Sequence, residues 1–225
     1  MYFPPAFQVL SLALLAAFGW SANLLLLARA GIAARPILQL AQLPLTHGDA
    51  DGVDVRLHRP IARLATVLSG IALVGWCLCA LSATATARAA IILLTYLAIA
   101  AALLMPRRVL CHIVRMQFVA LLVRIVKPSL SDPVFLADIV MADILTSCAR
   151  LFSDLFVVVC QLVAILGHGD AAGSARSGRI GTLLVCAPYA FRLRQCINEC
   201  LKADPKSGDA RRHLANAVKY ASSFP

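Results

Sequence analysis

The sequence predicts an all-α fold, a polytopic bundle of transmembrane helices, and two observations predict it. Of the 225 residues, 60% are hydrophobic and 14% are charged, whereas about a quarter of the residues in a soluble domain are charged. Several apolar runs also reach the length of about 20 residues that a helix needs to cross a hydrocarbon core of about 30 Å. We expect about five complete spans and the start of a sixth, with an amphipathic helix on the cytosolic side.

The first three predicted spans form an N-terminal region over residues 1–105. They cover about residues 6–28, 64–87 and 89–105. No charged residue precedes Arg29, and this apolar stretch is longer than the core of a signal peptide, so we interpret it as a retained span. Only Arg88 separates the second span from the third, which predicts a tight hairpin, and residues 29–63 form a predicted cytosolic loop.

The second predicted region, residues 106–225, contains four helical segments. Basic and apolar positions alternate over residues 107–127, which predicts a helix lying on the membrane surface; a solvated connector helix explains the same pattern. A transmembrane helix is expected over 133–167. The helix expected over 180–202 begins as a span and ends as a polar helix. The start of a further span is expected over 214–225. That last segment is about half the required length, so the sequence is expected to be a fragment, a truncated gene model or a shortened paralogue.

The distribution of basic residues predicts the orientation. Of the 21 Lys and Arg residues, sixteen lie in residues 29–63, 106–133 and 192–213, whereas only Arg88, Arg176 and Arg179 lie in the alternate loops. Because basic loops stay in the cytosol, the N-terminus is expected to be lumenal or extracellular. The formal net charge of +10 is therefore attributed to membrane orientation rather than to nucleic-acid binding, since no aromatic interleaving accompanies the basic residues.

The most informative apolar segment carries charges. Asp143, Ser147, Arg150 and Asp154 are separated by 4, 7 and 11 residues, so a continuous helix would align them in one polar stripe about 16 Å long. Charged groups inside a bilayer normally face a solute pathway or a partner charge. The alternative to a pathway is an ion-paired clamp between helices, in which Arg150 pairs with Asp154. Asp138 lies off the stripe, and we interpret it as a helix-terminus residue.

Two later clusters add cationic groups. Pro188 is expected to kink its helix, so that Arg192 and Arg194 lie where the span meets the cytosol; simple positive-inside anchoring explains Arg194 better than Arg192. Lys219, beside Tyr220, lies about one and a half turns inside the last predicted span. There it either binds an anion or extends to the interface.

The sequence offers no catalytic or metal motif. No nucleophile elbow, zincin or P-loop pattern occurs, and the five histidines are scattered, at His47, His58, His112, His168 and His213. Among the eight cysteines, Cys196 and Cys200 share a helix face and suit a metal or a palmitate, but packing explains them better because no histidine is nearby. We expect no enzymatic activity, no cofactor and no metal.

The three polar clusters carry a specific resemblance to a known family. The matching positions are Phe135, Asp138, Ala142, Asp143, Asp154 and Leu155 in the first cluster, Pro188, Tyr189, Arg192, Gln195 and Cys196 in the second, and His213, Leu214, Asn216, Ala217, Lys219 and Tyr220 in the third. With these residues the sequence resembles the EXS family, which includes the xenotropic and polytropic retrovirus receptor. The resemblance covers residues 106–225. The amino-acid sequence of the segment Ala142–Ser147 and the lack of an SPX domain favour the fungal Golgi branch known for defects in ER-protein retention.

The resemblance implies export of inorganic phosphate across a Golgi-type membrane, supporting lumenal glycosylation and retention of ER and Golgi proteins; the alternative location is the plasma membrane or the ER. By matching positions, Asp143, Lys219 and Tyr220 belong to the phosphate pathway and Arg192 supports it from the cytosolic side. The polar stripe adds Asp154 and Arg150 as further candidates. Implied partners are phosphate, the lipid bilayer, a second copy in a homodimer, and glycosyltransferases. The alternative function is a non-transporting sorting factor that binds glycosyltransferase tails through the basic loops and does not depend on Asp143.

Overall fold

The structure is a computed structural model that describes residues 4–39, 57–105, 107, 109–127, 133–167, 174–204 and 208–224. These ranges are helical and contain no strand, as the sequence predicts. Their helices are α1 (Pro5–Arg29), α2 (Ala34–Ile37), α3 (His58–Leu81), α4 (Ala85–Leu104), α5 (His112–Val126), α6 (Leu136–Ser147), α7 (Ala149–Leu166), α8 (Ser174–Lys202) and α9 (Gly208–Ala221). Residues 40–56, about half of the predicted loop 29–63, lie outside the described residues.

The chain divides into two compact units. Unit 1 comprises Met1–Val119 and Asp154–Ala175, and unit 2 comprises Ala120–Ser153 and Arg176–Pro225. In unit 1, α1, α3 and α4 are long and apolar enough to cross a membrane, and they correspond to the three predicted N-terminal spans. They expose large apolar side chains, including Leu15, Leu73 and Leu94, as expected of surfaces that contact lipid rather than water.

The hairpin between the second and third spans is present, but its predicted boundary at Arg88 is wrong. The chain turns at residues 82–84, and Arg88 lies inside α4. Thr84 begins α4 because its side chain accepts a hydrogen bond from the Ala87 N–H at 3.2 Å, which is a standard N-cap. Arg88 then reaches back to the Ser82 carbonyl at 3.0 Å. The position of Arg88 in the sequence indicates only roughly where the turn lies, whereas the cap at Thr84 determines where α4 begins.

Close contacts hold the spans of unit 1 together. A Cβ atom on Gly75 of α3 would come within 2.2 Å of the Thr95 hydroxyl oxygen of α4, so glycine is needed for the helices to approach this closely. The Tyr96 hydroxyl donates to the Ala6 carbonyl of α1 at 2.8 Å. From α7, Val158 and Leu162 pack in the same core cluster as Ala6 and Ala89.

Arg115 corrects the interpretation of residues 107–127 as a helix with a basic polar face. The helix formed is α5, His112–Val126, and Arg115 on it has 0% relative exposure. Its guanidinium donates five hydrogen bonds of 2.7–2.9 Å, to the carbonyls of Ala102, Met105, Arg107, Val109 and Leu110. The last carbonyls of a helix lack intrahelical partners, and Arg115 satisfies them at the end of α4. The membrane-surface location of α5 remains a prediction.

The single helix predicted over 133–167 is wrong, because the chain breaks at Cys148. Helix α6 ends at Ser147, α7 begins at Ala149, and the axis bends by 62° at the break. The side chains of Thr146 and Ser147 both donate to the Asp143 carbonyl, at 2.8 and 3.1 Å. Hydroxyls that bond to the carbonyl of the preceding turn bend helices, and the sequence places two of them side by side at this point.

The total number of spans also differs from the sequence estimate. By length and composition, the described residues contain three membrane-crossing helices, or four if the bent pair α6–α7 is one span. Helix α8 runs without a break from Ser174 to Lys202, through Pro188, and joins the predicted span to the predicted polar helix. Helix α9 has 14 residues. Helices α8 and α9 are not among these membrane-crossing helices, so the fifth and sixth spans remain predictions.

Candidate functional site

The candidate site lies within unit 2, where α6, α8 and α9 bring four of the predicted residues together. Asp143 of α6 accepts a hydrogen bond from Arg192 Nε at its Oδ1 atom at 2.6 Å, and its Oδ2 atom is 3.5 Å from Arg192 Nη2. The Tyr220 hydroxyl of α9 donates to the same Oδ1 atom at 3.0 Å. We call Asp143, Arg192, Gln195, Lys219 and Tyr220 the Asp143 cluster.

Arg192 lies at the centre of this cluster. The Arg192 side chain has 8% relative exposure, whereas the Asp143 side chain has 47%. Burial opposes the charge on Arg192, but the hydrogen bond and the negative charge of Asp143 outweigh it, so the pKa of the guanidinium lies above its usual value. The arginine therefore stays cationic, and one edge of its guanidinium is held toward a carboxylate at the surface of the unit.

Gln195 is the member that the sequence analysis did not select as a site residue. It lies one turn after Arg192 on α8 and has 2% relative exposure. Its Oε1 atom accepts a hydrogen bond from Arg192 Nη1 at 3.2 Å, and its Nε2 group donates to the Asp138 carbonyl of α6 at 3.3 Å. The signal in the sequence is the i,i+3 spacing, which puts two polar side chains on one helix face.

Two cations lie close to the aromatic ring of Tyr220. The Arg192 guanidinium lies 5.5 Å from the ring centroid and the Lys219 ammonium lies 5.2 Å from it. Lys219 is exposed while Tyr220 is buried, although they are neighbours on α9. No described carboxylate forms an ion pair with Lys219. An exposed cation thus lies beside a buried one that is already neutralised.

Asp138 anchors the start of α6, as the sequence predicted for a helix-terminus residue, and this prediction is confirmed. Its Oδ2 atom accepts a hydrogen bond from the Phe135 N–H at 3.2 Å, and its Oδ1 atom pairs with Arg124 Nη2 at 2.5 Å. A carboxylate in the first turn satisfies free N–H groups and opposes the positive end of the helix dipole. The anchor fixes the helix that carries Asp143.

Arg194, for which the sequence predicts positive-inside anchoring, joins α8 to the end of α5. Its guanidinium donates to the carbonyls of Lys127 and, at 2.7 Å, Ile125. These carbonyls belong to the last turn of α5 and the residue after it, where no intrahelical donor is available. Arg194 therefore supports the part of α8 from which Arg192 extends.

Two predicted site residues lie outside the Asp143 cluster as defined. Arg150 and Asp154 belong to α7, beyond the break at Cys148, so the regular spacing that aligned them with Asp143 does not apply. The predicted single stripe is therefore wrong. Instead of belonging to a stripe, Asp143 accepts hydrogen bonds from Arg192 of α8 and Tyr220 of α9.

The cysteines considered as metal or palmitate sites are part of the packing of unit 2. Cys196 is buried against Ala217 and Tyr220, and the Cys200 thiol lies 3.7 Å from the Ala210 carbonyl oxygen. Among the described residues no group of three His, Cys, Asp or Glu side chains is arranged to hold a metal ion.

The geometry of the Asp143 cluster suits an anion. A guanidinium edge that faces a carboxylate with two nitrogens binds phosphate in the same way, and a hydroxyl donor and an ammonium lie next to it. The molecule is thus an α-helical membrane protein with a cationic, half-exposed cluster of side chains in one of its units.

Comparison with known proteins agrees with this class, and it identifies the family: the chain belongs to the EXS family, whose profile matches residues 3–225. The match includes the three N-terminal spans as well as the segment that carries the motifs. The chain is also 30% identical over 90 residues to Protein ERD1 homolog 1 of Schizosaccharomyces pombe (strain 972 / ATCC 24843). That alignment covers 39% of this chain and 24% of the relative, so it spans about a quarter of the relative's length. It supports an ERD1-like branch of the family.

Proposed function

We propose that this chain takes part in moving inorganic phosphate across a Golgi-type membrane, returning phosphate released by lumenal glycosylation and thereby supporting retention of ER and Golgi proteins. The observation that carries the proposal is the contact of Arg192 with Asp143 beside Tyr220 and Lys219. Membership of the EXS family and the similarity to an ERD1 homolog support it.

In this proposal, phosphate approaches the Asp143 cluster from its solvent-exposed side. Lys219 attracts the anion because it is the exposed cation, and the Tyr220 hydroxyl and the Arg192 guanidinium provide directed donors behind it. Donors of this kind bind an oxyanion without a covalent step, so we assign the cluster to transport rather than to catalysis. Because release must follow binding, a carboxylate within the cluster is an advantage: it keeps the affinity for the anion moderate.

The orientation and partners follow from the basic loops. With the loops richest in Lys and Arg in the cytosol, the N-terminus is lumenal, and the polar half of α8 after Arg192 is on the cytosolic side. The lipid bilayer is the first partner, and a second copy of the chain and glycosyltransferases are further partners in this proposal. A tag at the N-terminus of a Golgi-resident protein would be protected from protease added outside sealed vesicles.

Labelled-phosphate flux tests the proposal. Vesicles containing the purified chain should move labelled phosphate, and Asp143→Ala and Lys219→Ala should each reduce the rate by about tenfold or more. Asp209→Ala is a matched control, because Asp209 is an exposed carboxylate of α9 that pairs with Arg212. Unchanged flux in both variants, together with normal retention of Golgi enzymes in cells carrying Asp143→Ala, would favour the non-transporting sorting factor instead.

A further inference from the structure

Acceptors of the protein already occupy three of the N–H donors of Arg192. Its Nε and Nη2 groups face the two oxygens of Asp143, and its Nη1 group donates to Gln195 Oε1. An arginine has five N–H donors in a planar fork, and the edge best suited to an oxyanion is the one that Asp143 takes. An external anion reaches this edge only by replacing an acceptor that belongs to the protein.

The two acceptors differ in how firmly they are held. Gln195 is almost fully buried and is fixed from its other end to the Asp138 carbonyl, so its displacement would leave buried polar atoms unsatisfied, which is costly. The Asp143 side chain is about half exposed. Once it leaves Arg192, its oxygens can be hydrated, so Asp143 is the acceptor that exchanges at low cost.

We propose that Asp143 is a tethered competitor for the anion: its carboxylate occupies the Arg192 guanidinium edge, and free inorganic phosphate binds by displacing it while Gln195 keeps the guanidinium in position. The proposal rests on the proposed function and deepens it. A carboxylate and a tetrahedral oxyanion present a similar pair of oxygens to a guanidinium. Because the carboxylate is attached to the protein, its effective concentration is high, and it returns to Arg192 when phosphate leaves.

The exchange has a measurable signature. The apparent affinity for a ligand falls by the fraction of protein in the competent state, so removing the competitor raises the affinity even though a member of the cluster is lost. Release then becomes slower, since no internal anion replaces phosphate. A carboxylate that served as a direct phosphate ligand, by accepting a hydrogen bond from protonated phosphate, would have the opposite effect on affinity.

Equilibrium binding of labelled inorganic phosphate to the full chain, in an uncharged detergent free of phospholipid, tests the exchange. Asp143→Asn should bind phosphate about tenfold more tightly than the natural protein, a change of about 1.4 kcal/mol. Asp209→Asn, which removes the same charge from an exposed position of α9, should bind within about twofold of the natural protein. In vesicles, Asp143→Asn should lower both the half-saturating phosphate concentration and the maximal rate.

The outcomes separate the two proposals. If the natural protein binds phosphate and Asp143→Asn binds it equally tightly or more weakly, the exchange is overturned and the phosphate site stays in place. Absence of binding by both proteins overturns the site and the exchange together. Stronger displacement of labelled phosphate by short-chain phosphatidate than by phosphate itself would reassign the ligand to a lipid headgroup and overturn the proposal for free phosphate. Asp143→Ser, a smaller neutral replacement, gives the same test if the asparagine variant does not fold.

Discussion

Arg115 in unit 1 and Arg192 in unit 2 are both buried, but different groups neutralise them. Arg115 donates to five backbone carbonyls around the end of α4. Arg192 donates to the carboxylate of Asp143, whose side chain is half exposed, and to Gln195. The carbonyls are fixed by the fold of the backbone, whereas the carboxylate belongs to a side chain that water reaches.

The difference separates a structural arginine from a functional one. The carbonyls around Arg115 belong to the backbone at the end of α4 and in the segment that follows it, so they leave Arg115 only if this backbone rearranges. The carboxylate beside Arg192 can be exchanged for another anion with no change in the backbone. A buried charged residue in a membrane protein has a structural or a functional role. The nature of its partner indicates which of the two roles it has.

The largest effect is expected from Arg115→Leu. The substitution leaves several carbonyls without donors around the end of a membrane-crossing helix, and each buried acceptor left unsatisfied costs about 1–3 kcal/mol. The folded yield and the melting temperature in detergent should fall sharply. Arg88→Leu is the matched control, since Arg88 is an exposed arginine of α4 with one described carbonyl contact. Equal stability of the two variants would contradict the structural role of Arg115.

Asp138→Asn should have an intermediate effect on stability. It removes the charge that pairs with Arg124 and weakens the cap on the Phe135 N–H, at a cost on the order of 1–3 kcal/mol. Phosphate binding by the folded fraction should stay unchanged, because Gln195 bonds to the backbone carbonyl of Asp138 and not to its side chain. Thermal melting measures the first effect and labelled-phosphate binding the second; a binding loss without a stability loss would place Asp138 in the site.

Lys219→Met should have the smallest effect on the fold and a moderate one on binding. Because Lys219 is exposed, its loss should leave the melting temperature within about 1–2 °C, as surface substitutions usually cost under about 0.5 kcal/mol. Phosphate affinity should fall several-fold at low ionic strength, and less at high salt, since screening weakens attraction to an exposed cation. Arg212→Met, a loss of an exposed cation on the same helix, should change phosphate affinity less.

The sequence predicts unit 1 better than unit 2, for physical reasons. Apolar runs of sufficient length identify α1, α3 and α4 directly, because hydrophobicity and length decide a span. The break at Cys148 in unit 2 depends instead on side-chain hydrogen bonds from Thr146 and Ser147. Within unit 1, the turn at residues 82–84 was placed wrongly for the same reason, since it depends on the cap that Thr84 provides. A hydropathy pattern does not register such bonds, although the residue types are visible in the sequence.

Helical spacing alone predicts the candidate site even less well. Asp143 meets Arg192 and Tyr220 across 49 and 77 positions of sequence, and no helical period relates residues so far apart. The family resemblance selected these residues, whereas helical spacing wrongly aligned Asp143 with Arg150 and Asp154. Gln195 belongs to the family pattern, but only its two contacts in the structure indicate a role in holding Arg192.

The most direct measurement of the central claim compares phosphate binding by the natural chain and by Arg192→Met, which keeps an unbranched side chain but removes the guanidinium. We predict that the natural chain binds labelled inorganic phosphate and that Arg192→Met loses at least about tenfold in affinity while retaining a folded unit 2, because the half-exposed Asp143 can be hydrated. Equal phosphate affinity of the two proteins would contradict the account, since the anion would then bind without the one buried guanidinium that the Asp143 cluster directs toward an oxyanion.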